Sequence, residues 1–172
     1  RVVVTAAVDE KNPEIIECRK RGLPIVKYAT LLGELMRDRF GIAVAGCHGK
    51  STTSAMTAFV LDRGGYDPSF VVGGGIPDLG GSSRGGKGEP FVAEACEHFR
   101  SFHNLYPHIA VVTNIEEDHL DYYRDIEEII GSFSVFLSHV PPEGLVVING
   151  EDGNCARALK GARCRVETFG FG

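Results

Sequence analysis

Short apolar runs alternate along this chain with longer segments whose apolar positions recur every three or four residues. Residues 2–4, 23–28, 42–45, 69–72, 91–95, 109–113, 145–148 and 165–169 have the length and the β-branched or aromatic content of strands. Helix signals lie between them. Asn12-Pro13 reads as an N-cap followed by proline at the first helical position, with Gly22 as the stop. Thr30 is the expected cap of a helix through Phe40, with Leu31, Leu32, Leu35 and Met36 on one face and Gly41 ending it. A third helix is expected from Ser51 to about Arg63. A fourth, capped by Asp125, carries the stripe Ile126, Ile129, Ile130, Phe133, Phe136 and Leu137 toward His139. A fifth spans residues 152–159. Residues 73–88 are mostly glycine, serine and polar, and predict a mobile loop or turn cluster.

Strands alternating with helices predict an α/β fold with a mainly parallel sheet flanked by helices. A β-α-β-α run is complete before Gly41, which therefore marks the expected domain boundary. Both ends of the chain are strand-like: it opens on Arg1-Val2-Val3-Val4 without a methionine and closes on Val166-Glu167-Thr168-Phe169. A piece of a longer protein is the expectation.

Composition narrows the function classes. The 172 residues are 43% hydrophobic and 24% charged, as in ordinary globular domains. A net charge of −5 with no Lys/Arg block argues against nucleic acid as a partner. No apolar run approaches the ~20 residues of a membrane span, and no signal-peptide pattern opens the chain. The five cysteines are odd in number and form no CxxC pair, which points to a reducing, cytoplasmic setting rather than a disulfide scaffold or a zinc ribbon.

The chemistry concentrates in three places. Gly46-Cys47-His48-Gly49-Lys50-Ser51-Thr52 follows a strand and opens a helix, the context of a phosphate-binding loop. Glycines let backbone N–H groups converge, and the helix N-terminus adds about half a positive charge. Lys50 adds a full charge able to reach outer phosphates, and the Ser51 hydroxyl can ligate Mg²⁺. The loop is shorter than the standard pattern, which would place a glycine at Val44. Glu94 ends a strand at the edge where α/β sheets bind ligands; Glu97, soon after, reads equally as a ligand or as a solvated loop acid. The run Thr113-Asn114-Ile115-Glu116-Glu117-Asp118-His119 is dense in metal-ligand types at another strand end, and reads either as a metal-binding loop or as an ordinary acidic one. His98, His103, His108 and His139 read as surface or helix-end residues, and Cys47 and Cys96 as small space-fillers.

"AVAGCHGKSTT" and "AVVTNIEEDHLDYY" together resemble the Mur ligases, ATP-dependent amide ligases of bacterial cell-wall synthesis, whose loops typically read GTHGKTT and TNIExDHxD. "VAEACEHFRSF" is similar to a family stretch beginning EADE, and "NPEIIECRKRGLPIVKYATLLGELMR" to the segment leading into the family's central domain. The resemblance implies that residues 1–40 are the tail of a Rossmann-like UDP-sugar domain and residues 41–172 the front of a P-loop-type ATPase domain. It implies ATP and Mg²⁺, a bacterial cytoplasmic location, and a parent enzyme that joins L-alanine to the carboxylate of UDP-N-acetylmuramate through an acyl phosphate. The family's amine-binding and adenine-holding parts are not in this sequence, so the piece alone is expected to be inactive. An enzyme that recycles UDP-N-acetylmuramate by attaching a tripeptide, and a non-catalytic ATP-binding module, remain alternatives. A kinase that passes phosphate to a hydroxyl is disfavoured by the short loop. By resemblance, Gly46 to Thr52 cradle ATP, Lys50 contacts its outer phosphates, and Ser51, Glu94 and His119 hold metal. His48, Asn114 and Glu116 fall on the phosphate or substrate side. Cys47 and Cys96 depart from the family's usual threonine and aspartate.

Overall fold

The computed structural model describes residues 1–171. Strand β1 (Val2–Val4) pairs in parallel with β2 (Ile25–Lys27), with α1 (Pro13–Lys20) between them and α2 (Tyr28–Arg37) after them. Asn12 caps α1 through its side chain, as its place before a proline predicts. The second unit begins at β3 (Phe40–Ala45) and continues through α3 (Lys50–Arg63), β4 (Ser69–Ile76), β5 (Gly81–Arg84), β6 (Pro90–Glu94), β7 (Ile109–Val112), α4 (Ile126–Leu137), β8 (Leu145–Asn149), α5 (Gly153–Ala158) and β9 (Arg165–Phe169). Its sheet has the order β5-β4-β6-β3-β7-β8-β9 and is parallel except for the β4–β5 pair. The expected α/β class and mainly parallel sheet are what the structure shows.

Alternate residues of the central strands divide between two cores, as the pleat requires. Ile42 and Val92 join Ala58, Phe70, Val72, Ile76 and Leu79 on the α3 side. Ala43, Ala45 and Ala93 join Phe102, Phe133, Phe136 and Met36 on the other. With both faces covered, β3 has no polar residue between Gly41 and Ala45, the pattern of a buried parallel strand.

Three expectations change. Helix α2 starts at Tyr28, with Lys27 rather than Thr30 at the cap position, and the Thr30 hydroxyl instead donates to Asn104 Oδ1 at 3.1 Å. Phe40 and Gly41 belong to β3 because its ladder with β6 reaches back to Phe40↔Pro90 and Gly41↔Phe91; Leu35 is exposed and only Leu32 and Met36 of the expected face are fully buried. Residues 73–88 are not a simple loop. β4 runs on to Ile76, a 3₁₀ turn covers Pro77–Leu79, and β5 returns antiparallel with Ile76↔Gly81. Buried Ile76 and Leu79 pin this hairpin, and Arg84 pairs with Asp62 on α3.

From β3 the chain builds β4, β5 and β6 on one side of it and then crosses to build β7, β8 and β9 on the other. The C-terminal end of β3 is therefore a topological switch point, the place where such sheets open a crevice for ligands. Among the described residues no helix is long and apolar enough to cross a membrane.

Candidate nucleotide site

The loop after β3 is held from below by the end of β7. Cys47 N–H donates to Asn114 C=O at 3.2 Å, and His48 is clamped twice by one amide: its N–H donates to Asn114 Oδ1 at 2.9 Å and its C=O accepts from Asn114 Nδ2 at 3.0 Å. Thr113 Oγ1 donates to His48 C=O at 2.5 Å. Asn114, expected on the substrate side, spends its side chain on the loop. Gly46 (φ +134°) and Gly49 (φ +82°) occupy backbone regions that other residues enter only at a cost. Gly49 sits at the N-cap of α3 with no side chain capping the helix, whose first turn is bonded through Thr53 N–H to Gly49 C=O. The N–H groups ahead of Thr53 and the positive end of the helix dipole thus face the crevice, where Ser51 and Thr52 are exposed.

Lys50 does not reach into solvent. Its ammonium is folded onto the loop, donating to Gly46 C=O at 2.6 Å, Cys47 C=O at 3.1 Å and Glu97 Oε1 at 3.0 Å. Those three bonds use all three of its protons. Glu97 is 1% exposed, and its Oε2 is buried without a hydrogen-bond partner among the described residues. His119 closes the group, with Nε2 3.6 Å from Glu97 Oε1 and 3.9 Å from Asp118 Oδ2. His119 has φ +53° and its N–H donates to Asp118 Oδ1 at 2.7 Å. A buried ammonium, a half-unsatisfied carboxylate and an imidazole thus meet at a helix N-terminus, a setting that suits a phosphate together with a cation.

Glu94 ends β6 on the same edge, opposite Val44 of β3, but its carboxylate turns to the other side and accepts from Gly73 N–H at 2.7 Å. The structure therefore brings together Lys50, Glu97 and His119 of the candidate residues, with Glu94 one strand away. Glu97 is the residue that sequence reasoning undervalued. Glu97 is held at the loop by Lys50 and by the Tyr123 hydroxyl, both distant in the chain, and the left-handed Phe99 and Arg100 (φ 54° and 53°) follow it; nothing in the local pattern announces either feature. His48 and Glu116 are exposed, with His48 Nε2 and Glu116 Oε2 3.8 Å apart. Cys47 Sγ lies between Glu116 N at 3.2 Å and Glu116 O at 3.3 Å, and burial pushes its thiol up to about 11, so it fills space as a neutral thiol. Three other histidines sit at helix ends, as expected, and each has a partner there: His103 Nε2 is 3.0 Å from Ser132 Oγ, His139 Nδ1 is 3.0 Å from Leu105 O, and His98 stacks on His119.

Glu97 is fixed from behind. The Tyr123 hydroxyl donates to Glu97 C=O at 2.6 Å and lies 3.1 Å from Ser132 Oγ. Burial raises the Tyr123 hydroxyl from its usual 10.0 to about 12. Its neutral form is favoured in the fold, so this contribution is complete below pH 10 and is lost as pH rises through about 12. Tyr123→Phe is expected to cost about 1–3 kcal/mol in urea denaturation at neutral pH. The difference in stability between the two proteins should shrink between pH 10 and 12; a constant difference would exclude this tyrosine from the alkaline loss.

The Mur ligase middle domain matches residues 44–172, and the domain described as "Mur ligase family, catalytic domain" matches residues 1–40. A UDP-N-acetylmuramate–L-alanine ligase from Caldanaerobacter subterraneus subsp. tengcongensis is 47% identical over 99% of this chain, and one from Geotalea uraniireducens 46% over 99%. The chain spans 37% of the length of either relative. Among solved structures, the UDP-N-acetylmuramate:L-alanyl-γ-D-glutamyl-meso-diaminopimelate ligase from Neisseria meningitides superposes with a TM-score of 0.86 at 31% identity, covering 98% of this chain and 58% of that one. A UDP-N-acetylmuramate-alanine ligase from Thermotoga maritima gives 0.80 at 30% identity, covering 91% and 36%. Because two domains of one family between them take in all but residues 41–43, the second reaching over most of the length, the chain belongs to the Mur ligase family.

Proposed function

We propose that this chain is the triphosphate-gripping part of an ATP-dependent ligase that joins L-alanine to the carboxylate of UDP-N-acetylmuramate in the bacterial cytoplasm. Residues 1–40 are then the end of the UDP-sugar domain and residues 41–172 the front of the ATPase domain. The observation that carries the reading is the buried Lys50–Glu97 pair at the N-terminus of α3, 3.0 Å apart, with His119 beside it. The curated relatives at 46–47% identity over 99% of this chain are alanine ligases, which supports alanine over tripeptide as the amine.

Each residue then has a physical task. The N–H groups from Gly49 to Thr52 receive phosphate oxygens, while those of Cys47 and His48 are spent on Asn114 and hold the loop in shape. Lys50 trades at least one of its three present acceptors for the outer phosphates. A carboxylate must come close to a γ-phosphate, and two like charges 4 Å apart repel by about 4 kcal/mol at an effective dielectric of 20. Ser51 and His119 would hold Mg²⁺, joined by Glu94 once its carboxylate leaves Gly73 N–H, and the ion would neutralise charge on the transferring group. Glu97 keeps the ammonium aimed at that space. His48 and Glu116, exposed at the mouth of the loop, face the sugar substrate.

Calorimetric titration of the 172-residue chain should show one site for MgATP and a similar affinity for magnesium tripolyphosphate, because the loop grips phosphates rather than adenine. A full-length ligase carrying this segment should release phosphate when UDP-N-acetylmuramate and L-alanine are both present. Release driven better by the tripeptide would favour the recycling activity, and release driven by neither would defeat the ligase reading.

A further inference from the structure

Beside the nucleotide crevice lies a second group of ligating atoms that shares His119 with the proposed ligase site and adds two residues, His98 and Asp121, that the proposed chemistry does not use. His98 opens the 3₁₀ segment after β6, and His119 and Asp121 come from the loop after β7. One nitrogen of each imidazole and one Asp121 oxygen all lie within 4.8 Å of one another. The two rings are stacked with centroids 4.1 Å apart and planes within 2°. His98 Nε2 is sealed from solvent and has no hydrogen-bond partner among the described residues; its nearest charged neighbour is Asp121 Oδ2 at 3.5 Å. A polar nitrogen buried without a partner costs free energy, and a cation shared with Asp121 would remove that cost.

From this juxtaposition we propose that His98, His119 and Asp121 form a site for one borderline-soft divalent cation of the zinc type. Two imidazole nitrogens and one carboxylate oxygen, with water in the fourth position, are a tetrahedral zinc donor set. Magnesium prefers an all-oxygen octahedron and gains little from two imidazoles. Phe99 and Tyr122, whose rings are 5.2 Å apart, pack against His98. The rings must fan open from their stacked arrangement to converge on one ion. The other ligand group nearby, Cys47, Glu97 and Asp118, is already committed: Cys47 Sγ is bonded to Glu116 N–H and Glu97 to Lys50.

Filling the site has a consequence that rests on the proposed nucleotide reading. The same imidazole has its Nε2 3.6 Å from Glu97 Oε1, and a neutral ring has one free nitrogen lone pair, so it cannot ligate a metal on both sides. A zinc-type ion on His98 and Asp121 therefore withdraws His119 from the nucleotide metal and weakens MgATP binding.

Cobalt(II) titration of the 172-residue chain without nucleotide tests the site. One four-coordinate cobalt per chain is expected by its visible bands, displaced by zinc, with no thiolate charge-transfer band. His98→Gln and Asp121→Asn should each weaken binding at least about tenfold. Asp121 is 72% exposed, so its replacement reports on binding without threatening the fold. Unchanged affinity in both variants, or a thiolate band placing the ion on Cys47, would overturn the site. One equivalent of zinc should weaken MgATP binding severalfold in the parent chain and not in His98→Gln; no zinc effect would overturn the coupling. A zinc-free chain that binds no MgATP would instead count against the nucleotide reading, while the cobalt titration still decides the metal site.

Discussion

Lys50→Ala is expected to abolish MgATP binding and, separately, to weaken the fold. The first effect follows from removing the single ammonium at the N-terminus of α3. The second follows from what remains. Glu97 is 1% exposed, its Oε2 already has no partner among the described residues, and its Oε1 is 3.0 Å from the Lys50 ammonium and 3.6 Å from His119 Nε2. Removing one member of a buried ion pair leaves an uncompensated charge and costs about 3–5 kcal/mol. The two effects separate in the double variant Lys50→Met with Glu97→Gln, which removes both charges and keeps similar volumes. It should recover most of the stability and none of the nucleotide binding. Urea denaturation and calorimetric titration read the two quantities independently. If Lys50→Ala bound MgATP as the parent chain does, the phosphate-loop assignment would fail. If it unfolded at the same urea concentration, the buried pair would not be the counter-charge arrangement described above.

The sequence carried the sheet far better than its edges. Central strands such as β3 and β6 are short uninterrupted apolar runs, and nothing but a doubly covered position accommodates them, so class and approximate bounds were readable. The hairpin of β4 and β5 was not, because Gly73, Gly74 and Gly75 have no side chains to show a period, and its anchors Ile76 and Leu79 are isolated letters in a polar stretch. The start of α2 was misplaced because Thr30 has the chemistry of a cap and is used for a tertiary bond to Asn104 instead. In the site, the loop itself was legible since its glycines and lysine act locally. Glu97, Asn114 and His98 were underrated for one shared reason. Each works through a partner in a distant segment: Lys50 for Glu97, the peptide of His48 for Asn114, and His119 for His98. Spacing along the chain holds no record of such encounters. Family likeness did supply Glu94 and His119, yet it could not say that Glu94 turns to Gly73 and leaves the lysine to Glu97.

Gly46→Ala should be the most damaging glycine change in the loop, and the comparison with Gly49→Ala isolates why. At both positions φ is positive, +134° and +82°, so alanine meets backbone strain of about 1–3 kcal/mol in either case. The space around the new methyl group differs. A Cβ on Gly49 would find nothing nearer than Thr113 Cγ2 at 3.8 Å, an ordinary contact. A Cβ on Gly46 would stand 2.0 Å from Thr113 Oγ1 and 3.1 Å from Asn114 N. Thr113 cannot step aside freely, because that hydroxyl holds His48 C=O at 2.5 Å, and Asn114 clamps the same peptide. Overpacking of this kind adds about 1–3 kcal/mol to the strain. Gly46→Ala should therefore cost about 2–6 kcal/mol and lose MgATP binding by more than about a hundredfold, whereas Gly49→Ala should cost only the strain, about 1–3 kcal/mol. Adding Thr113→Ala to Gly46→Ala removes the colliding oxygen and should return part of the stability, but not the binding, since the His48 carbonyl then keeps only one of its two tethers, Asn114 Nδ2. Equal losses in the two single variants, measured by urea denaturation, would mean that backbone conformation alone governs the loop and that Thr113 does not press against it.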